Sequence, residues 1–140
     1  MAILSKTKMS LRIIGDDLVP DEVSLLLVCR PTREMIKGKP FSWKKDGNQR
    51  LAKSGMWRLE ANDQIPGDLD AQVFELLDQL TDNLDTWAVL SEKYKLDMFC
   101  GLFMESGMEG ISLSAKSLLA LGQRGIEIGF DMYGPDDESV

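Results

Sequence analysis

Apolar residues recur at every second position in three stretches of the chain: Met9, Leu11 and Ile13; Leu96, Met98, Cys100, Leu102 and Met104; Ile126, Ile128, Phe130 and Met132. Ser10, Arg12 and Ile14 alternate with the first set, and Asp97, Glu105, Glu127 and Asp131 fall among the alternates of the others. A period of two with polar alternates predicts strands with one buried face. Ile128, Phe130 and Met132 are therefore expected in one core with Leu11, Ile13, Met98 and Cys100.

Between the last two stretches the rhythm changes to a helical one. Ser114 is a natural N-cap, able to accept a first-turn backbone N–H. Leu113 and Leu118 are spaced for a hydrophobic staple, and Gly125 stands where a left-handed residue would end the helix. Near the start of the chain, Pro20 suits the first position of a helix carrying Asp21 and Glu22 at its positive end. Val23, Leu26 and Leu27 are its expected buried stripe, Pro31 stops it, and Val19 is a poor cap. Asp68 opens another helix, with Leu69, Val73, Leu76, Leu77 and Leu80 at spacings of three and four. A fourth spans roughly residues 84–93 around Trp87. Phe41-Ser42-Trp43 and residues 56–60 read as short strands, paired as a hairpin around a long basic loop.

Strand–helix units flanking a helical pair predict an α+β two-layer sandwich. Its sheet is mainly antiparallel or mixed, with helices on one face, ferredoxin-like or an elaboration of it. Residues 1–133 form the single domain, and 134–140 an acidic disordered tail.

Composition narrows the partners. The chain has 140 residues, with 16 Lys and Arg against 23 Asp and Glu, a net charge of −7. Phosphate backbones attract basic surfaces, so nucleic acid is not an expected partner, whereas a basic protein is compatible. Cys29 and Cys100 lie in apolar runs and read as packing residues. No apolar segment is long enough for a membrane span, and the N-terminus lacks a signal-type apolar core. The expectation is a cytoplasmic protein without membrane contact.

The sequence contains no histidine. That excludes Ser-His-Asp and Cys-His mechanisms and His-based zinc sites. Two isolated cysteines cannot supply four thiolates, and no phosphate-cradling glycine loop is present. No cofactor and no enzymatic activity are expected. The alternative is a carboxylate-dependent hydrolase or metal-binding enzyme using Asp16, Asp17 and Asp131, with Asp97, Glu105 and Glu109 nearby. Against it, Asp16 and Asp17 would simply organise a turn.

The polar alternates define a second sheet face carrying Asp97, Phe99, Gly101 and Phe103 on one strand and Glu127, Gly129, Asp131 and Tyr133 on another. Arg12 and Arg58 are expected to join them. Two readings stay open. Either Arg12, Arg58, Phe99, Phe103, Asp131 and Tyr133 form an exposed binding surface, or a helix such as the Trp87 segment covers the aromatics. The first makes the chain a non-enzymatic binding or protein-interaction module, monomeric or homodimeric. An immunity-type partner of a basic protein is its most concrete form.

Several motifs in order resemble the largely bacterial family known as domain of unknown function 4279. They are Leu11-Arg12-Ile13-Ile14-Gly15-Asp16-Asp17-Leu18 with Pro20-Asp21-Glu22, Pro31-Thr32, Gly38 and Ser54-Gly55-Met56-Trp57. Leu76-Leu77-Asp78-Gln79-Leu80 and the closing residues 128–133 complete the set. Val19 and Cys29 depart from the capping and small turn residues expected there. The resemblance implies a fold and a bacterial origin, and no activity.

Overall fold

The long strands β2 (Lys6–Gly15) and β7 (Lys95–Phe103) lie side by side in the middle of the sheet and run antiparallel. In the computed structural model, which describes residues 2–41 and 49–135, they are flanked by β6 (Gly55–Glu60) and β3 (Arg33–Met35) on one side. β9 (Glu127–Tyr133) lies on the other, giving the order β3-β6-β2-β7-β9. All neighbours are antiparallel except β7 and β9, which run parallel. The central pair is that of a ferredoxin-like sheet, but the outer strands have exchanged sides, so the arrangement is an elaboration of it.

The helices are α1 (Pro20–Leu27), α2 (Leu69–Leu77), α3 (Leu84–Lys93) and α4 (Ala115–Gln123). Period-two alternation decides where they sit. Met9, Leu11 and Ile13 of β2, Trp57 and Leu59 of β6, and Leu96, Met98, Cys100 and Leu102 of β7 form one core with Val23, Leu27, Val73, Leu76, Trp87, Leu90 and Leu121. Burying each large side chain contributes about 1.5–3 kcal/mol, so this layer contact dominates stability. Polar groups fix its register. Gln72 donates to the Thr7 carbonyl at 2.9 Å, and the Trp57 indole donates to Ser24 Oγ at 3.0 Å.

The helix boundaries follow the expected caps. Asp68 accepts from the Ala71 N–H and Ser114 from the Ser117 N–H, while Gly125 takes the left-handed conformation at φ +70°. Asp70 of α2 adds a tie between helices, accepting from the Ser114 N–H at 2.9 Å and the Ser117 hydroxyl at 2.6 Å. Val19 makes no side-chain cap, as its chemistry requires, and α1 ends in Val28 at φ 60°.

Four expectations are corrected. The α1 stripe is Pro20, Val23 and Leu27, with Leu26 43% exposed, because positions 20, 23 and 27 keep the helical spacing. Leu118 is half exposed and stays outside the core, whereas Leu113 packs against it. Residues 56–60 do not pair with Phe41, the described residue of the expected partner strand. Phe41 belongs to β4 (Pro40–Phe41), which pairs with β5 (Arg50–Leu51), while β6 is claimed by β2 and β3. Finally, Phe130 and Met132 face the helical side but are 44% and 67% exposed, because β9 is the outermost strand and the core reaches only as far as Ile128. Ser42, Trp43, the basic loop and most of the acidic tail lie outside the described residues. Two further short strands, β1 (Ala2–Ile3) and β8 (Glu109–Gly110), pair with each other, and Glu109 is fixed there by Ser5 and Ser106.

Candidate functional site on the open sheet face

The face turned away from the helices is built by the alternates of the core residues. One row crosses all five strands in register: Arg33, Arg58, Arg12, Asp97 and Glu127. Like charges on directly opposed strands repel, so the three adjacent arginines need compensation. Asp97 takes Arg12 in a two-pronged contact, with Nε to Oδ1 at 2.9 Å and Nη2 to Oδ2 at 2.7 Å. Glu60 lies 3.2 Å from Arg58 and 3.5 Å from Arg33. The hydrogen bond to Asp97 raises the Arg12 pKa against the opposing effect of burial, and the charges of Asp97 and Asp131 add to it. For Arg58, burial outweighs the nearby Glu60 and lowers the pKa.

Aromatic rings occupy the next positions along β7 and β9. The Arg12 guanidinium lies over the Phe99 ring at 4.5 Å, a cation–π geometry. Phe103 stacks on Tyr133 with centroids 4.8 Å apart and planes at 15°, and Lys6 lies over Phe103 at 4.7 Å. Strand pairing places Phe103 opposite Tyr133 and Gly101 opposite Asp131, which leaves the rings room to lie flat. All three rings are half-buried, and Asp131 is exposed.

All six residues picked out by alternation, Arg12, Arg58, Phe99, Phe103, Asp131 and Tyr133, therefore stand on one face. The Trp87 segment does not cover the aromatics: Trp87 is fully buried in the core on the opposite side of the sheet. Arg33 belongs to the same row, although nothing in its three-residue strand signals a sheet position.

The acids of the enzyme alternative are not brought together. Asp131 is opposite Gly101, and Gly101 opposite Lys8. From Lys8 to Asp16 the chain runs roughly 25 Å at about 3.3 Å per residue. Asp16 instead bonds Lys37 at 3.1 Å and Ser54 at 3.2 Å, and Lys37 holds its carboxyl below the usual range. Among the described residues no group of three or more Cys, Asp or Glu side chains is placed to hold a metal ion. Burial, with the Asp97 charge, pushes the Cys100 thiol up to about 12, and burial raises Cys29 as well, which suits packing rather than nucleophilic chemistry.

Over its described residues the face is shallow. Its dip beside Arg58, lined by Lys8, Ser10, Glu60 and Asp63 among others, measures 150 Å³, below the range of about 300–1,000 Å³ typical of small-molecule sites. Larger clefts, of 660 Å³ beside α1 and 480 Å³ beside β1, contain none of the six residues.

A two-layer α+β protein with an aromatic- and arginine-bearing sheet face that no described helix covers is thus the class defined by the geometry. The family model described as "Domain of unknown function (DUF4279)" matches residues 5–135, and the chain belongs to that family. Neither a curated protein nor a solved structure matches it. No helix among the described residues is long and apolar enough to cross a membrane.

Proposed function

We propose that this chain is a non-enzymatic protein-interaction module that binds its partner through the open sheet face. The observation that supports this most is the Phe103–Tyr133 stack beside the Arg12–Phe99 pair, half-exposed on a face whose dip among the described residues is only 150 Å³. Aromatic and arginine side chains held by neighbours lose little entropy on binding, which makes them favoured hot spots. A flat surface of this kind suits a macromolecule better than a metabolite.

The immunity-type reading, with a basic protein as partner, draws on a second observation. Residues 68–92 carry seven acids, Asp68, Asp70, Glu75, Asp78, Asp82, Asp85 and Glu92, with no lysine or arginine. This excess lies on α2, α3 and their connection, so long-range attraction of a basic partner would come from the helical layer.

The test is capture from the native cell by tagged full-length chain, in parallel with Tyr133→Ala and Phe103→Ala. The proposal expects a specific protein retained by the wild type and lost in both variants, at an unchanged melting temperature. Equal retention by folded variants would refute a role for this face.

A further inference from the structure

We infer that β9 is a dimerisation edge, pairing antiparallel with β9 of a second copy about a two-fold axis at Phe130. The two edges of the sheet are treated differently by the sequence. β3 is only three residues long and carries Arg33 and Glu34, a short charged edge of the kind that resists pairing. β9 is seven residues long, with no lysine, arginine or proline, and among the described residues no strand pairs with its outer side. Long edges of this composition present a row of open backbone groups to another strand.

The open groups can be named. The Met104 N–H bonds the Tyr133 carbonyl, so Tyr133 and its alternates Asp131, Gly129 and Glu127 turn their backbone toward β7. In a parallel pair the intervening residues turn both N–H and C=O the other way. Ile128, Phe130 and Met132 therefore present their backbone outward, and the side chains of Phe130 and Met132 are the ones left 44% and 67% exposed.

Among the registers that pair at least five of the seven residues of β9, charge selects one. Continuing one sheet with matching faces requires opposed residues of the same parity, so the axis falls on a residue. An axis at Gly129 sets Glu127 against Asp131, and an axis at Asp131 sets that carboxylate against its own copy. Both oppose like charges. An axis at Phe130 sets Glu127 against Tyr133, Asp131 against Gly129 and Ile128 against Met132. No carboxylate then opposes another, and the outward backbone groups meet in about six hydrogen bonds. A second copy supplies this self-complementary pattern by symmetry, and pairing joins the two open faces into one surface.

Sedimentation velocity of the full chain at micromolar concentration tests this. Wild type is expected at twice the 15.7 kDa of one chain, and Phe130→Lys, which places two cations on the axis, at the mass of one. In a Cys29→Ser background, mild oxidation should link Phe130→Cys across the axis but not Met132→Cys, whose copies lie far apart in this register. The cross-link keeps the test decisive if Phe130→Lys does not fold. A monomeric wild type, which would leave the edge to a strand of some other protein, overturns the inference. So does a dimer that Phe130→Lys leaves intact, or equal cross-linking at both positions. Loss of the dimer with retention of a captured partner would separate this inference from the open-face proposal.

Discussion

Arg12 and Asp97 oppose each other across the two central strands, and the guanidinium meets both carboxylate oxygens of an aspartate that is only 5% exposed. Removing one member strands the other in a poorly hydrated position. Arg12→Met is expected to destabilise the fold by about 3 kcal/mol, because the buried carboxylate loses its partner. The double change Arg12→Met with Asp97→Leu should recover most of that loss. Urea titrations of the wild type, Arg12→Met, Asp97→Leu and the double variant check it; a double variant no more stable than Arg12→Met would contradict it.

Asp70 predicts how the fold responds to acid. Burial pushes its pKa up, but the hydrogen bonds from Ser117 and Ser114 outweigh this and leave the carboxyl below its ordinary value of 3.8. A folded-state pKa below the unfolded one means the stabilisation is fully present above about pH 4 and is lost as pH falls toward the lower folded value. Asp70→Asn should flatten that acid limb, and its own cost near neutrality should be about 1 kcal/mol, as for loss of a cap. Denaturant titrations between pH 2 and 7 measure both.

Val28 and Gly125 end their helices in the same left-handed region, at φ 60° and φ +70°. A β-branched residue is strained there by about 1–2 kcal/mol and glycine is not. Val28→Gly should therefore raise stability by about 1 kcal/mol, after the added chain entropy of glycine. Gly125→Ala should lower it by more than 1 kcal/mol, since the new Cβ would also lie 2.8 Å from Ser91 Cβ. Thermal melts that move both variants in the same direction would contradict this reading.

Divalent cations should leave the melting temperature unchanged. Asp16 is engaged with Lys37 and Ser54 far from Asp131, so these acids offer no shared site. Tight binding would raise apparent stability by RT ln(1 + [L]/Kd). A shift specific to Mg²⁺, Ca²⁺ or Mn²⁺ that vanished in Asp16→Asn or Asp131→Asn would revive the carboxylate-enzyme alternative.

Much of this molecule is legible in its sequence. Alternation along β2, β7 and β9 assigns every strand residue to a face, which is why Arg12, Phe99, Phe103, Asp131 and Tyr133 assemble as expected. Local capping chemistry places Asp68, Ser114 and Gly125. What alternation does not encode is coverage. Phe130 shares its face with Met98, but only the position of β9 at the sheet edge leaves its ring exposed. Pairing of short strands is equally illegible. β4 and β5 have two residues each, too few for a pattern, and β3 reveals its place only through its partner β6.

The central pairing of β2 with β7 has a kinetic consequence. Arg12 and Asp97 are 85 positions apart in the chain, and α1, β3 to β6, α2 and α3 all lie in the loop that their meeting closes. Closure entropy must be met before these non-local contacts stabilise anything. A nascent chain therefore cannot form the central pair until β7 has left the ribosome, and β2 waits with one flank unpartnered until then. Folding is expected to be slow for a chain of this size, with its rate set by the search for a single register rather than by the formation of any helix.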